Sequence, residues 1–379
     1  MKRTLSTVGF ALATAMGLPH GLTAALPNGV NHPQLISDSF SHSVSSHEVK
    51  DIYFLDTAHG WIAVTNHEDD TGHILITGDA GKTWHWSPAP SQIAQLVFLN
   101  PQVGFALRVI ADSISGQSTV QLFSSIDGGG HWLHTSDLPI HLPNHPGGSG
   151  YVSMAFADQS HGWFVGQGDR GCRFILESTD AGKSFQPPPE APRDLESCLG
   201  VYAPDDVGVL ILGVNHLILS VDGGHVWQSP VDPEKLGISP QLFDMSSALF
   251  ENHGRGWIVG QGYRGNGTIL RTDDYGRSWR MEFGADVETN FKSIWPTDAT
   301  HRCVVGYSTL LFCTSDDGFH WTSRDVLPPR RGTESPFFGH LVLLPSGRGW
   351  VVRYGGYLNG TLDGGQSWHE LDPMNLGSN

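Results

Sequence analysis

Apolar residues in this chain come in short bursts that alternate with polar ones and are cut by Gly, Asp and Asn, as in IYFLDTAHG from Ile52 to Gly60 and SMAFADQSHG from Ser153 to Gly162. Alternation of β-branched and aromatic residues between turn formers is what short strands require. A second burst follows, often opening on Gly-Trp: GWIAV at Gly60, GWFVG at Gly162, GWIVG at Gly256 and GWVVR at Gly349. A third leads into a polar octet, as do HILIT from His73, RFILES from Arg173, LILS from Leu217 and TILRT from Thr268. Beyond the N-terminus no long stretch carries a helical period. The pattern predicts repeated units of four short strands.

The octet, Ser/Thr-x-Asp-x-Gly-x-x-Trp/Phe, occurs seven times: TGDAGKTW from Thr77, SIDGGGHW from Ser125, STDAGKSF from Ser178, SVDGGHVW from Ser220, TDDYGRSW from Thr272, TSDDGFHW from Thr314 and TLDGGQSW from Thr361. Its aspartates, Asp79, Asp127, Asp180, Asp222, Asp274, Asp316 and Asp363, are 48, 53, 42, 52, 42 and 47 residues apart. A period of roughly 40 to 50 residues fits one four-stranded propeller blade. The expected fold is therefore all-β, a single seven-bladed β-propeller over 49–373, with blades starting near 49, 92, 150, 194, 243, 289 and 337. Ring closure leaves no long free edge, so one domain is expected. Within the octet the carboxylate is suited to accept turn N–H bonds, the glycine two residues on to take positive φ, and the final aromatic to bury area and open the fourth strand. These seven aspartates are accordingly read as structural.

Residues 1–25 read as a secretory signal peptide: Lys2 and Arg3 precede an apolar run from Val8 to Leu18, and Thr23-Ala24-Ala25 offers a cleavage site after Ala25. The run is too short to span a bilayer, no lipoprotein cysteine lies near the site, and no later segment predicts membrane insertion. Residues 26–48 then form a linker and 374–379 a tail, and the mature protein is expected in the periplasm or outside the cell. Four cysteines accord with export. Cys303 and Cys313 flank one hairpin of blade six, while Cys172 lies in blade three and Cys198 at the start of blade four. Disulfides Cys303–Cys313 and Cys172–Cys198 are expected. The net charge of −16 repels phosphate backbones, which argues against nucleic-acid partners.

Propeller ligands usually meet the face built by the strand two–three loops and the inter-blade connections. There GWFVGQGDRGCRFIL of blade three and GWIVGQGYRGNGTIL of blade five match beyond the octet, aligning Gln167, Asp169 and Arg170 with Gln261, Tyr263 and Arg264. Arg193, Arg330 and Arg331 lie on long connections, and Tyr354 and Tyr357 on the corresponding loop of blade seven. Arginine with tyrosine suits an anchor for a carboxylate or a peptide terminus. His141 and His145 lack a third ligand at suitable spacing, so no metal and no cofactor are assigned. His59 and His161 read as turn and packing residues. Asp69, Asp70, Asp112 and Glu190 supply carboxylates, but glycoside hydrolysis needs a pair held at defined separation, and no catalytic residue is assigned.

The octet resembles the Asp-box, or bacterial neuraminidase repeat. With Gly-Trp-x-Val-Gly strands at Gly162 and Gly256 followed by STDAGKSF and TDDYGRSW, roughly 49–373 resembles the photosystem II assembly and stability factor family, Ycf48-like. That resemblance implies a secreted, non-enzymatic propeller that holds a membrane-protein partner during assembly, partly through an arginine patch, for which Arg170 and Arg264 are candidates. Sialidases and family-74 xyloglucanases share the box. The chain lacks the Arg-Ile-Pro motif of the former and has material for only one of the two facing propellers of the latter. The expectation is a protein-interaction scaffold for an envelope or secreted protein, with a glycan-active or glycan-binding propeller as the alternative.

Overall fold

The computed structural model describes residues 6–7 and 46–376 apart from 113–114, 146–147, 150–151, 169–170, 193–194, 204–207, 214–215, 230–243, 252–253, 263–264, 326–337 and 354. Seven antiparallel sheets form the blades of a β-propeller, each led by its innermost strand. These strands are His47–Phe54, Ile93–Phe98, Val152–Phe156, Gly200–Tyr202, Asp244–Phe250, Phe291–Pro296 and Phe338–Leu343. Strands two and three follow in meander order, for example Gly60–Asn66 and Thr71–Thr77 in blade one. Ser6–Thr7 pair with Phe250 and Leu249 on the inner edge of blade five.

A complete fourth strand follows the octet in five blades, among them His85–Ala89 and Arg280–Glu288. In blades three and four the described residues pair there only as single bridges, Glu177 to Gln186 and Leu219 to Gln228. The run after Phe185 is QPPPEAP, and proline cannot donate to a ladder. Blade two departs the other way. Its outer strand Leu133–His145 is 13 residues long, and Leu138, Ile140 and Leu142 point inward to pack with Val152 and Phe164 of blade three.

The Gly-Trp motif is explained by packing between blades. The aromatic ending one innermost strand lies on the glycine opening the next strand, so that a Cβ on Gly60 would stand 2.5 Å from the Phe54 ring and one on Gly162 2.6 Å from Phe156. The residue after the glycine then stacks on the neighbouring blade. Trp61 meets Phe98 at 3.6 Å, Phe105 meets Phe156 at 3.8 Å, and Trp350 meets Phe54 at 5.2 Å, closing blade seven on blade one. Each fully buried indole contributes roughly 4–6 kcal/mol of apolar burial, an upper estimate.

Blade six replaces the aromatic–glycine pair by Pro296 and Arg302. The Arg302 guanidinium is fully buried 4.5 Å from the Trp257 ring of blade five. It donates to Glu282 at 3.1 Å and Asp317 at 2.8 Å, and Arg271 joins the network through Asp317 and Asp273. Withdrawing the Arg302 and Glu282 charges from water offsets much of what their attraction contributes.

Both disulfides are present, Cys172–Cys198 between blades three and four and Cys303–Cys313 across one blade-six strand pair, with Cα separations of 4.9 and 4.2 Å. Among the described residues no helix is long and apolar enough to cross a membrane.

Candidate binding face at the loop end of the ring

Strand one runs from the loop end of each blade to the octet end, where the backbone N–H of Ala80 bonds the carbonyl of Ala58 and ties the octet to the strand one–two turn. The two ends have different chemistry. In the seven octets the Ser/Thr hydroxyl donates to the aspartate, for example Thr77 to Asp79 at 2.9 Å, and the same hydroxyl accepts from the backbone of Gly81 at 2.9 Å. Against a desolvation that raises it, bonds from the Thr83 backbone and hydroxyl hold Asp79 down at about 2. The His131 ring and backbone do the same for Asp127. These carboxylates are occupied in their own turns. The residue before the glycine also takes positive φ, as at Ala80 (65°) and Tyr275 (61°); the spacing of the octet carries no mark of it.

At the loop end the innermost strand is bulged in five blades. Pairing slips between Val49 and Asp51, Ile93 and Gln95, Met245 and Ser247, Phe291 and Ser293, and Phe338 and Leu341. A bulge inserts one residue and re-aims its neighbours. Lys50, Ser246 and Lys292 are the inserted residues of blades one, five and six. Lys292 is buried, with Nζ donating to the Ser246 hydroxyl at 2.8 Å and lying 4.6 Å from the Tyr307 ring. Ser246 donates to Asn290 Oδ1 at 2.8 Å. Lys50 meets Glu48 at 2.6 Å. Sequence reasoning did not find this cluster, because a bulge leaves no distinctive residue pattern.

One residue deeper, each blade presents an equivalent position: Asp51, Gln95, Ser153, Gly200, Ser247, Ser293 and His340. Asp51 accepts from the Leu96 backbone at 2.7 Å, and Gln95 exchanges two bonds with the Met154 backbone. Ser153 accepts from Val201 at 3.2 Å and Ser293 from Leu341 at 3.0 Å. Each of these bonds reaches the next blade. Blade four has Gly200 here, with no side chain to offer, and its Tyr202 hydroxyl instead bonds Ala248 and Ser247. Burial raises that phenol to about 12. Aligning the blades on their Gly-Trp strands would have revealed this column.

Of the sequence-predicted binding residues, Asp169, Arg170, Arg193, Tyr263, Arg264, Arg330, Arg331 and Tyr354 lie outside the described residues. Their described flanks are informative. Backbone bonds join Cys172 to Leu195 at 2.9 Å, Thr289 to Gly265 at 2.9 Å and Val49 to Gly356 at 3.0 Å. Cys172, Gly265 and Gly356, beside the strand two–three turns of blades three, five and seven, thus rest on the segments that enter blades four, six and one. Tyr357 lies 5.8 Å from the Arg353 guanidinium, which is 3.8 Å from Glu370. His59 bonds Asp56, and His161 bonds Glu177 with its ring 4.1 Å from Trp163, which are turn and packing roles. His141 and His145 lie on the long outer strand of blade two. Among the described residues no group of three His, Cys, Asp or Glu is placed to hold a metal. Asp69 and Asp70 bond Thr71 and Gln92.

No protein-family model matches the chain, and no curated protein matches it in sequence. Solved structures do resemble it. The family-74 xyloglucanase from Xanthomonas campestris has a TM-score of 0.59 at 13% identity, over 86% of this chain and 55% of the enzyme. A family-25 polysaccharide lyase, an ulvan lyase, has 0.52 at 10%, over 88% and 97%. Ycf48 bound to D1 peptide has 0.44 at 16%, over 88% and 83%. The likeness to the xyloglucanase and the lyase establishes the fold alone. Fold does not assign function, so the site must.

Proposed function

We propose that this chain is an exported, non-enzymatic propeller that holds an extended segment of an envelope or secreted protein at the loop end of its ring. One observation carries the reading. In a chain with 38 acidic and 22 basic residues, two of the six lysines, Lys50 and Lys292, are inserted by bulges at the same end of the ring, with hydroxyl and amide groups beside Lys292. Such donors suit carboxylates and peptide carbonyls. Arg170 and Arg264, whose flanking residues rest on the next blades at that end, would extend the site from blades three and five, and Tyr357 from blade seven. Lys82 and Lys183, by contrast, sit in octets.

The test is capture of envelope proteins on the tagged mature chain, read by mass spectrometry and competed with untagged protein. One dominant client is expected, with affinity reduced roughly tenfold or more by Arg170→Ala plus Arg264→Ala. A blank capture together with release of reducing sugar from glycans would replace this reading with a glycan-active propeller.

A further inference from the structure

The seams between blades are not equally fastened. From blade one to two, the Trp61 indole donates to the Gly128 carbonyl at 2.7 Å, the Ser87 hydroxyl to Gly130 at 2.8 Å, and Asp51 accepts from Leu96 at 2.7 Å. From two to three, the Ser136 hydroxyl donates to Gly182 at 2.6 Å and Gln95 makes its paired bonds with Met154. From six to seven, Arg324 donates to the Gly364 carbonyl at 2.8 Å.

Among the described residues the octet end of the seam from blade three to four lacks these indole and hydroxyl bonds. The Trp163 indole N–H is buried with no acceptor. Where Ser87 and Ser136 supply hydroxyls, blade three has Pro188 facing Gly224 of the blade-four octet, and proline has nothing to donate. Ser153 reaches Val201 at 3.2 Å. Blade four itself is thin: its innermost strand is three residues, Gly200–Tyr202, and its Asp222 finds Val226 where other octets place a hydroxyl or an imidazole. This seam also holds the molecule's one disulfide between blades. Cys172 ends the strand two–three hairpin of blade three, and Cys198 stands just before Leu199 at the entry to blade four. Both sulfurs belong to buried residues that pack in one cluster with Trp163, Val201 and Ile211.

We infer that Cys172–Cys198 is a redox-conditional clasp. The covalent bond holds the loop end of the seam while its octet end lacks the indole and hydroxyl bonds found between blades one and three, so blade four docks fully only in oxidised protein. Reduction by a dithiol breaks the S–S bond, places a thiol on each cysteine and oxidises the dithiol to its own disulfide. Among the described residues the seam then keeps its apolar packing, the Val201–Ser153 bond and the backbone bond from Cys172 to Leu195. Because the clasp borders the face proposed above, its opening would also withdraw part of that face; this consequence rests on that proposal, whereas the clasp does not.

Hydrogen exchange read by mass spectrometry on the full mature chain tests the clasp without any ligand. In Cys172→Ser plus Cys198→Ser, amides of Gly200–Tyr202 and Val209–Gly213 are expected to lose protection roughly tenfold or more, with blades one and two unchanged. The control, Cys303→Ser plus Cys313→Ser, is expected to leave blade four as it was. If the first variant does not fold, folded wild-type protein is treated with dithiothreitol until mass spectrometry finds Cys172 and Cys198 reduced. Blade-four protection unchanged in either experiment, or protection lost equally in all seven blades, would overturn the inference.

Discussion

Asp51 and His340 hold the same position in blades one and seven, both buried, with Nδ1 3.6 Å from Oδ1. Burial raises Asp51 from 3.8 to about 7 against the pull of the Leu96 and Ile52 backbone bonds, and burial lowers His340 from 6.5 to about 4. The raised aspartate contributes stability that is full below about 4 and lost as pH rises through 7. The lowered histidine contributes stability that is full above 6.5 and lost as pH falls through 4. Between these limits the two slopes cancel, since the folded pair and the unfolded pair each bind one proton. Single substitutions should uncover them. Asp51→Asn is expected to become less stable as pH falls from 6.5 to 4, and His340→Gln less stable as pH rises from 4 to 7. Each slope should approach about 1.4 kcal/mol per pH unit. Urea midpoints across this range check it, and parallel profiles for both variants and wild type would contradict it.

Each octet is a self-contained turn, and each strand-two aromatic reaches beyond its own blade. These two roles predict different losses. Asp363 accepts the Gln366 and Ser367 backbone bonds and the Ser367 hydroxyl. Asp363→Ala should cost about 1–3 kcal/mol, confined to one turn, because backbone donors lose their acceptor near the surface. Trp350→Ala should cost more, about 3–5 kcal/mol, because Trp350 packs on Phe54 and Trp84 of blade one and so closes the ring. Denaturant unfolding of both variants decides whether the inter-blade contact outweighs the turn. The Ser/Thr–Asp turn of the octet was legible in the sequence, since the bonds between its hydroxyl, carboxylate and glycine are local. The Gly-Trp partner was not, because the residue that touches Trp350 lies almost 300 positions earlier in the chain.

The ring joins its last blade to its first without exchanging a strand: all four strands of blade seven come from Phe338–Leu371, and those of blade one from His47–Ala89. Closure therefore relies on packing, reinforced by Leu376 of the short helix Pro373–Leu376 in the same core cluster. A disulfide within one blade should matter less than a fastener between blades. Loss of Cys303–Cys313, which spans ten residues, is expected to cost about 2–3 kcal/mol on the chain-entropy account while leaving the ring closed. Thermal unfolding of Cys303→Ser plus Cys313→Ser measures this, and loss of the cooperative transition would show that hairpin to be part of the closure.

The sequence by itself determined the all-β class, the number of blades and both cysteine pairings, because period-two strands, a repeat near 47 residues and a ten-residue hairpin are local or periodic signals. It also marked the glycines and aromatics of the strand-two motif, but not what they meet. The tertiary structure alone showed which polar residues bridge blades, and that Lys50 and Lys292 share the loop end. Those outcomes depend on bulges and on contacts between blades, where residues remote in the chain become neighbours through ring closure, and no local pattern encodes that geometry.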